Sequence, residues 1–557
     1  MNRLIAKLGR LSPVGEQRWA ACIAQDAPPT RSVLRAHAEI HAWGRDCFST
    51  AGPVDPVVGI GWQLHSSATT DLPDGVYAEI REHSASQSWT LRVDPLGIQT
   101  LLAMPDGDGW VVTTSPNWLR QFVARRLALT SVGMHQLLAF GFSPAGTTPF
   151  AEVIRVPPGG QIELQPSQSP QVQAGESFRE SIDPEWDSLE TAIPQMQTLL
   201  EQAVLQRING QPTVGLYLSG GLDSSAVAVT LRNLGIRTQA FTLDFGEASV
   251  ERDDAECIAA HLGIPIERVP VNAESIAAIL PELVAGLELP FGDAVTGPQW
   301  FLGQAARQFG LCDVFNGEGG DQLLGGWTNK PMIAAELYGQ LSREDAYLQA
   351  FHRFLGLEDR FYTPEFLADL GSARDCRPVL AQWVHAETAT TFLHRMRLTD
   401  LMVKGCGNIL PRMHAIGNAL GLRVHAPLMD RTFTQFALSI PPGMKLRGAT
   451  EKVILRQWLQ QSLPERITQR RKTGMCVPIT WWLLAEKSEW WRELLLGRES
   501  RLLRGWLRRD ALERLCAGMN EPNEVRIRRV GERLWTLIQL EWWLRQGQER
   551  SPWERSE

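Results

Sequence analysis

Two patterns of apolar spacing divide the chain. Up to about residue 165, short segments alternate apolar and polar side chains, as in Trp89-Thr90-Leu91-Arg92-Val93 and Trp110-Val111-Val112-Thr113-Thr114. Turn-rich pieces such as Met104-Pro105-Asp106-Gly107-Asp108-Gly109 separate them. A period of two predicts strands with one buried face, so the first unit, 1–165, reads as β-rich with a few helices. From 166 to 186 the chain turns polar and rich in Pro, Ser and Gln, the composition of a linker. Beyond it Leu189, Ile193, Leu199, Leu200, Val204 and Ile208 recur near helical spacing and open a second unit, 187–557.

Inside the second unit, Val214-Gly215-Leu216-Tyr217-Leu218 is an apolar run of buried-strand type, and Ala226 to Leu231 runs on as a helix. Thr238 to Phe245 reads as a second strand, Glu251 to Leu262 as a helix closed by Gly263, and Ile266 to Val271 as a third strand. This alternation predicts an α/β fold, a doubly wound parallel sheet whose ligands sit at the carboxyl ends of the strands. Residues 330 to about 430 read as mainly helical. In the tryptophan-rich tail, Leu534, Trp535, Ile538, Trp542 and Leu544 share a helical face, which predicts core packing.

Two glycine-rich stretches carry the candidate chemistry. The first, Ser219-Gly220-Gly221-Leu222-Asp223-Ser224-Ser225, lies between a strand and a helix start. Gly220 and Gly221 let backbone N–H groups approach phosphate oxygens, the helix N-terminus adds positive potential, and Ser219 and Ser224 add hydroxyl donors. Asp223 beside a polyphosphate calls for a metal ion or a proton. The second stretch runs from Asn316 through Gly317, Glu318, Gly319, Gly320, Asp321 and Gln322 to Gly325 and Gly326. Its glycines are denser than an acidic surface turn needs, and Asp321 supplies a second carboxylate for a magnesium site with Asp223.

Composition narrows the class. At 557 residues the chain can hold two or more cored domains, and its net charge of −7 argues against a general nucleic-acid surface. Its 8 cysteines are scattered, with no C-x-x-C pair and no His-paired metal spacing, and read as reduced thiols. No run approaches membrane-spanning length, and Met1 to Lys7 carries charge but no signal-type apolar core. We therefore expect a cytoplasmic protein.

The SGGLDSS loop after a hydrophobic strand resembles the pyrophosphate loop of the ATP pyrophosphatases, in particular the asparagine synthetase superfamily. That superfamily adenylates a carboxylate with ATP, releases pyrophosphate and lets an amine attack the acyl-adenylate. The resemblance implies that Leu218 and Leu243 lie against adenine, that Ser219, Gly220, Gly221, Asp223, Ser224, Gly317 and Glu318 hold ATP and pyrophosphate, and that Asp223 and Asp321 hold Mg²⁺. Leu463-Pro464-Glu465-Arg466-Ile467 through Lys472 resembles a family segment whose lysine offsets charge on the acyl-adenylate, which makes Lys472 the candidate catalytic residue, with Arg470 and Arg471 secondary.

Arg92-Val93-Asp94-Pro95-Leu96-Gly97 and Val156-Pro157-Pro158-Gly159-Gly160 resemble landmarks of the glutaminase half of these enzymes, which implies an N-terminal glutaminase-like (Ntn-type) α+β domain. The family's nucleophile is a cysteine exposed by Met removal; here position 2 is Asn2 and the first cysteine is Cys22, so the domain reads as enzymatically silent. The stretch Gly421 to Asp430 departs from the family pattern as well, with Arg423 in place of its glutamate, His425 in place of its arginine, and Gln322 earlier in place of a glutamate. In the β-lactam-forming relatives that first glutamate supports deprotonation of the amine, so its loss suggests another nucleophile; His425 is either a base or, as a lone histidine more often is, a structural hydrogen-bonding residue.

A silent first domain with a lost glutamate looks most like a lasso-peptide macrolactam synthetase, which adenylates an Asp or Glu side chain of a peptide for attack by the peptide's own N-terminal amine. The implied cofactors are ATP and Mg²⁺. The implied partners are a leaderless precursor peptide, a leader peptidase and a leader-recognition protein, with no nucleic acid and no membrane. The alternatives are a β-lactam or carbapenam synthetase, an ammonia-dependent asparagine synthetase and, from another class, a non-catalytic peptide-binding scaffold. Asp223, Asp321 and Lys472 argue against the scaffold.

Overall fold

The computed structural model describes the chain except residues 1, 27, 36, 44–46, 51–56, 65–73, 124–126, 176–177, 209, 327–329, 340, 471–476, 485–488, 519–523 and 548–557, and the side chains of 48–50, 62–64, 74, 330–331 and 524–526.

The period-two segments form two six-stranded antiparallel sheets. In one, Arg3–Leu8 lies between Ala38–Trp43 and Gly109–Thr113. In the other, Ser88–Val93 lies between Asp74–His83 and Gln161–Leu164. Trp89, Leu91 and Val93 face inward from one sheet and meet Leu4, Ala6 and Leu8 from the other, while Thr90 and Arg92 stay half-exposed. Alternation thus decides which face of each strand is removed from water. The two glutaminase-like landmarks touch: the Gly159 N–H donates to the Asp94 carbonyl at 2.8 Å.

The stretch read as a linker is tied down at two points. Gln171–Gln173 pairs with Gln161–Leu164 and so extends the second sheet. Farther on, Glu180 accepts from the hydroxyls of Thr391 (2.6 Å) and Thr390 (2.7 Å) and meets His394 Nδ1 at 2.8 Å.

The two units share a core. Ser131–Phe140, a helix buried at every position but Val132, packs with Leu280, Leu283 and Trp535 of the second unit in one continuous apolar cluster. Such a seam, unlike a wet domain contact, excludes free relative motion of the units. The tail forms the helix Glu524–Gly547, whose Leu534, Trp535, Ile538 and Leu544 are buried as their spacing predicts. Trp543 Nε1–H on the same helix donates to the Glu288 carbonyl at 2.9 Å.

The second unit holds a five-stranded parallel sheet in the order Ile266–Pro270, Thr238–Asp244, Val214–Tyr217, Asp313–Phe315, Arg423–His425. Chain order reverses between Val214–Tyr217 and Asp313–Phe315, so the loops after those two strands diverge and leave a crevice at their carboxyl ends. Both glycine-rich stretches leave the sheet there. Among the described residues, no helix is long and apolar enough to cross a membrane.

Candidate functional site

A chamber of 390 Å³ occupies the crevice. Leu218, Ser219, Gly220, Gly221, Asp223 and Ser224 border it from the first loop, Leu243 from the neighbouring strand, and Gly317, Glu318, Asp321 and Gln322 from the second loop. Residues chosen from separate parts of the sequence therefore face one space. Lys472 lies outside the described residues, so its position adds nothing to this geometry.

The first loop is held by its own hydroxyls. Ser224 Oγ lies 3.1 Å from the Ser219 carbonyl, Gly221 N–H donates to Ser219 Oγ at 3.1 Å, and Ser225 Oγ–H donates to the Gly221 carbonyl at 2.7 Å. These contacts turn the chain into the helix Leu222–Asn233 with its N-terminus toward the chamber. Arg470 closes the outer side, donating to the Gly220 carbonyl at 2.9 Å and pairing with Asp254 at 3.0 Å. A Cβ on Gly220 would stand 2.6 Å from the Asp254 Cβ.

The second loop depends on glycine for close approach. A Cβ on Gly317 would collide with the backbone nitrogen of Ser224, and one on Gly320 with the Asp223 carboxylate. Gly317→Ala is accordingly expected to lower substrate-dependent pyrophosphate release at least about tenfold, because backbone cannot yield as a side-chain tip can. Gly443→Ala, whose added methyl would meet nothing within 4 Å, is the matched control and should leave the rate unchanged.

Between the loops stands a residue that sequence reasoning missed. Lys452 is 3% exposed, and its ammonium pairs with the Asp223 carboxylate and, at 2.5 Å, with Asp321 Oδ1. Burial by itself would lower its pKa; the two carboxylates outweigh burial and hold it well above the ordinary lysine value. The backbone at Lys452 is left-handed, with φ +55°, a conformation that costs a non-glycine residue about 1 kcal/mol or more. The signal available in the sequence was a lysine immediately before the apolar helix Val453–Leu459: a cation entering a buried segment needs an acidic partner.

Two carboxylates aimed at one point are also the donor set that a magnesium ion takes, so Asp223 and Asp321 fit such an ion chemically. Glu318, half-buried on the chamber wall, accepts from Gln299 Nε2 at 3.3 Å, and desolvation raises its pKa. Asp293 sits opposite. Burial pushes its pKa up, but Lys404, Arg353 and Arg412 dominate and hold it well below the usual carboxylate range. Lys404 lies on Leu401–Ile409, a π-helical segment in a longer helix. Such a bulge re-aims side chains and is concentrated at functional sites.

The substituted strand points away from this space. Arg423 makes a two-pronged pair with Asp313 at 2.8 and 2.9 Å, and His425 Nε2 meets the same carboxylate at 2.8 Å. His425 is 1% exposed, burial lowers its pKa, and it does not border the chamber. It closes the sheet edge on Asp313, the structural hydrogen-bonding role, and not the role of a base.

A parallel sheet with its order reversed at the crevice, a glycine-rich loop opening a helix, and facing carboxylates bridged by a lysine define a nucleotide-dependent α/β enzyme. Residues 195–545 match the family described as asparagine synthase, and the chain belongs to that family. It is an ATP-dependent carbon–nitrogen ligase of the asparagine synthase-like, amide-forming type. The chain is 24% identical over 478 residues to asparagine synthetase [glutamine-hydrolyzing] 1 of Bacillus subtilis, covering 78% of this chain and 75% of that one. It is 24% identical over 420 residues to an asparagine synthetase [glutamine-hydrolyzing] of Gallus gallus, covering 72% and 63%. Among solved structures, an NH3-dependent NAD synthetase from Campylobacter jejuni matches 34% of this chain and 93% of its own at 16% identity, with a TM-score of 0.19.

Proposed function

We propose that this ligase closes a macrolactam: it adenylates an Asp or Glu side chain of a leaderless precursor peptide, and the peptide's N-terminal amine attacks the activated acyl group. The carboxylate oxygen attacks the α-phosphorus of ATP, the bond to pyrophosphate breaks, and an acyl-adenylate forms. The amine then attacks the acyl carbon, AMP departs with the electron pair, and the nitrogen loses its proton. Ser219, Gly220, Gly221 and Ser224 hold the phosphates through N–H and hydroxyl donors, with Gly317 and Glu318 opposite, while Leu218 and Leu243 flank the base. Mg²⁺ would be held by Asp223 and Asp321 and, when bound, neutralises charge on the pyrophosphate oxygens. Lys452 holds a fixed positive charge beside these carboxylates, and Lys472 remains a second candidate for charge compensation at the acyl group.

The observation that carries the choice of nucleophile is the environment of Cys22. The backbone N–H of Asn2 donates to Asn418 Oδ1 at 2.7 Å. Cys22 is half-buried on the helix Pro13–Gln25, and burial followed by Asp26 pushes its thiol pKa up, the reverse of what a nucleophile needs. The two antiparallel sheets are compatible with a glutaminase-like domain that has no glutaminase chemistry, which favours an amine that arrives with the substrate. A peptide α-amine titrates near pH 8 and is partly neutral without a dedicated base. Purified protein is therefore expected to release no glutamate from glutamine, with or without ATP; steady release would return the assignment to a glutamine-dependent synthetase.

The second reading is an ammonia-dependent asparagine synthetase, and a β-lactam or carbapenam synthetase is the third. One experiment separates them. With Mg²⁺, ATP and a leaderless peptide bearing an acidic residue several positions from a free N-terminus, the expected products are AMP, pyrophosphate and a peptide lighter by one water. Acetylating the peptide N-terminus should abolish that product while ATP–pyrophosphate exchange persists. Water loss from the acetylated peptide would overturn macrolactam closure, and turnover only with aspartate and ammonia, or with a small β-amino acid, would select the corresponding alternative. We place the reaction in the cytoplasm, beside a leader peptidase and a leader-recognition protein that expose the amine.

A further inference from the structure

Three side chains remote in sequence meet outside the chamber. His135 lies within the helix Ser131–Phe140 of the first unit, His352 caps the end of Arg343–Phe351, and Cys376 precedes Arg377–Val384. Their ligand atoms all lie within 4.8 Å of one another, and all three residues are buried. None of them borders the chamber. We infer that this cluster binds one Zn²⁺ ion, which cross-links the first unit to the helical region of the second.

The geometry suits the ion. Tetrahedral zinc with bonds of about 2.3 Å to sulfur and 2.0–2.1 Å to nitrogen sets its ligands roughly 3.4–3.6 Å apart. Here His135 Nε2 and Cys376 Sγ are 3.2 Å apart, so a few tenths of an ångström of adjustment opens the site. Zinc takes cysteine as the thiolate, so one proton leaves Cys376 as the ion binds.

The surroundings supply the remaining parts. His135 Nδ1 lies 3.0 Å from the Tyr362 hydroxyl and its Nε2 lies 3.0 Å from the Arg374 carbonyl. The carbonyl can only accept, so without the ion Nε2 carries the proton and Nδ1 accepts from the Tyr362 hydroxyl; entry of the ion displaces the Arg374 contact, the proton moves to Nδ1, and Tyr362 turns to accept it. His352 Nδ1 accepts from the Phe354 N–H at 3.2 Å and Nε2 lies 3.6 Å from Glu358 Oε1, so ligation exchanges the Phe354 contact for the ion while the Nε2–H stays toward Glu358. A carboxylate placed there orients a ligating imidazole. The thiolate and Glu358 together carry the two negative charges that cancel a divalent cation. A surface cleft of 380 Å³ lined by His352, Glu358, Arg374 and Cys376 gives the ion a path inward and a water for the fourth position.

The test is metal stoichiometry on the full-length protein, equilibrated with Zn²⁺ and passed over a chelating resin. About one zinc per chain is expected, and Co²⁺ in its place should show tetrahedral ligand-field bands with a thiolate-to-cobalt charge-transfer band. Cys376→Ser and His352→Asn should each lose the bound metal and that band, whereas Asp223→Asn, which alters the chamber, should keep both. Less than about 0.1 zinc per chain in the wild-type protein with no charge-transfer band, or full retention of zinc by Cys376→Ser, would overturn the inference. Should the variants fail to fold, the wild-type stoichiometry and cobalt spectrum decide.

Discussion

Lys452→Met is expected to reduce product formation by about 10²–10³ or more, with ATP still bound, because a preorganised charge acting where charge develops contributes that much to rate. Methionine keeps the length and apolar stem of lysine, so the loss reports the ammonium. Lys452→Arg should fail to restore activity. The lysine stem is confined by Gly326, where a Cβ would collide with both Lys452 Cε and the Asp321 carboxylate, and a guanidinium fork needs more room than an ammonium. Single-turnover formation of AMP, measured beside ATP binding, checks this. Activity within tenfold of wild type would remove Lys452 from the machinery and leave Lys472 as the candidate; Lys472→Ala in the same assay is expected to cost less than Lys452→Met.

Asp223→Asn and Asp321→Asn should each lower substrate-dependent pyrophosphate release by about two orders of magnitude and raise the Mg²⁺ concentration needed for half-maximal rate. Asparagine preserves shape and removes one of two charges that face a common point. The stability consequence separates single from double variants. Each single change leaves Lys452 one carboxylate, whereas the double change leaves a cation that is 3% exposed without either, a defect worth about 3–5 kcal/mol. Burial then lowers the lysine pKa, so the double variant should melt well below either single variant and regain stability as pH rises and the amine loses its proton. Equal melting temperatures for all three, together with normal pyrophosphate release, would dismiss the trio as a surface ion pair.

The parts of the site that were legible in the chain share a physical property: they are local. The run Val214–Leu218 followed by Gly220 and Gly221 and then an apolar helical stretch states strand, turn and helix within about twenty residues, and the density of glycine in 317–326 states that backbone must come close to something. Those two stretches and Leu243 border the same chamber because a doubly wound sheet brings the ends of its strands to one edge. Arg423 and His425 were read by position in a pattern, which cannot tell on which side of a strand end a side chain falls. Both turn to Asp313, a partner 110 and 112 residues away.

By itself the sequence determined the α/β sheet with its two glycine-rich loops, the β-rich first unit and the packing face of the tail helix, because hydrophobic period and turn chemistry act over a few residues. Only the tertiary structure decided that Lys452, 229 residues from Asp223, joins the two carboxylates, and that His135, His352 and Cys376 share one buried space between the units. A buried charge or ligand is stabilised by whatever group the fold places beside it. That neighbour leaves no periodic trace in the chain, since its position depends on how whole elements pack and not on the residues that flank it.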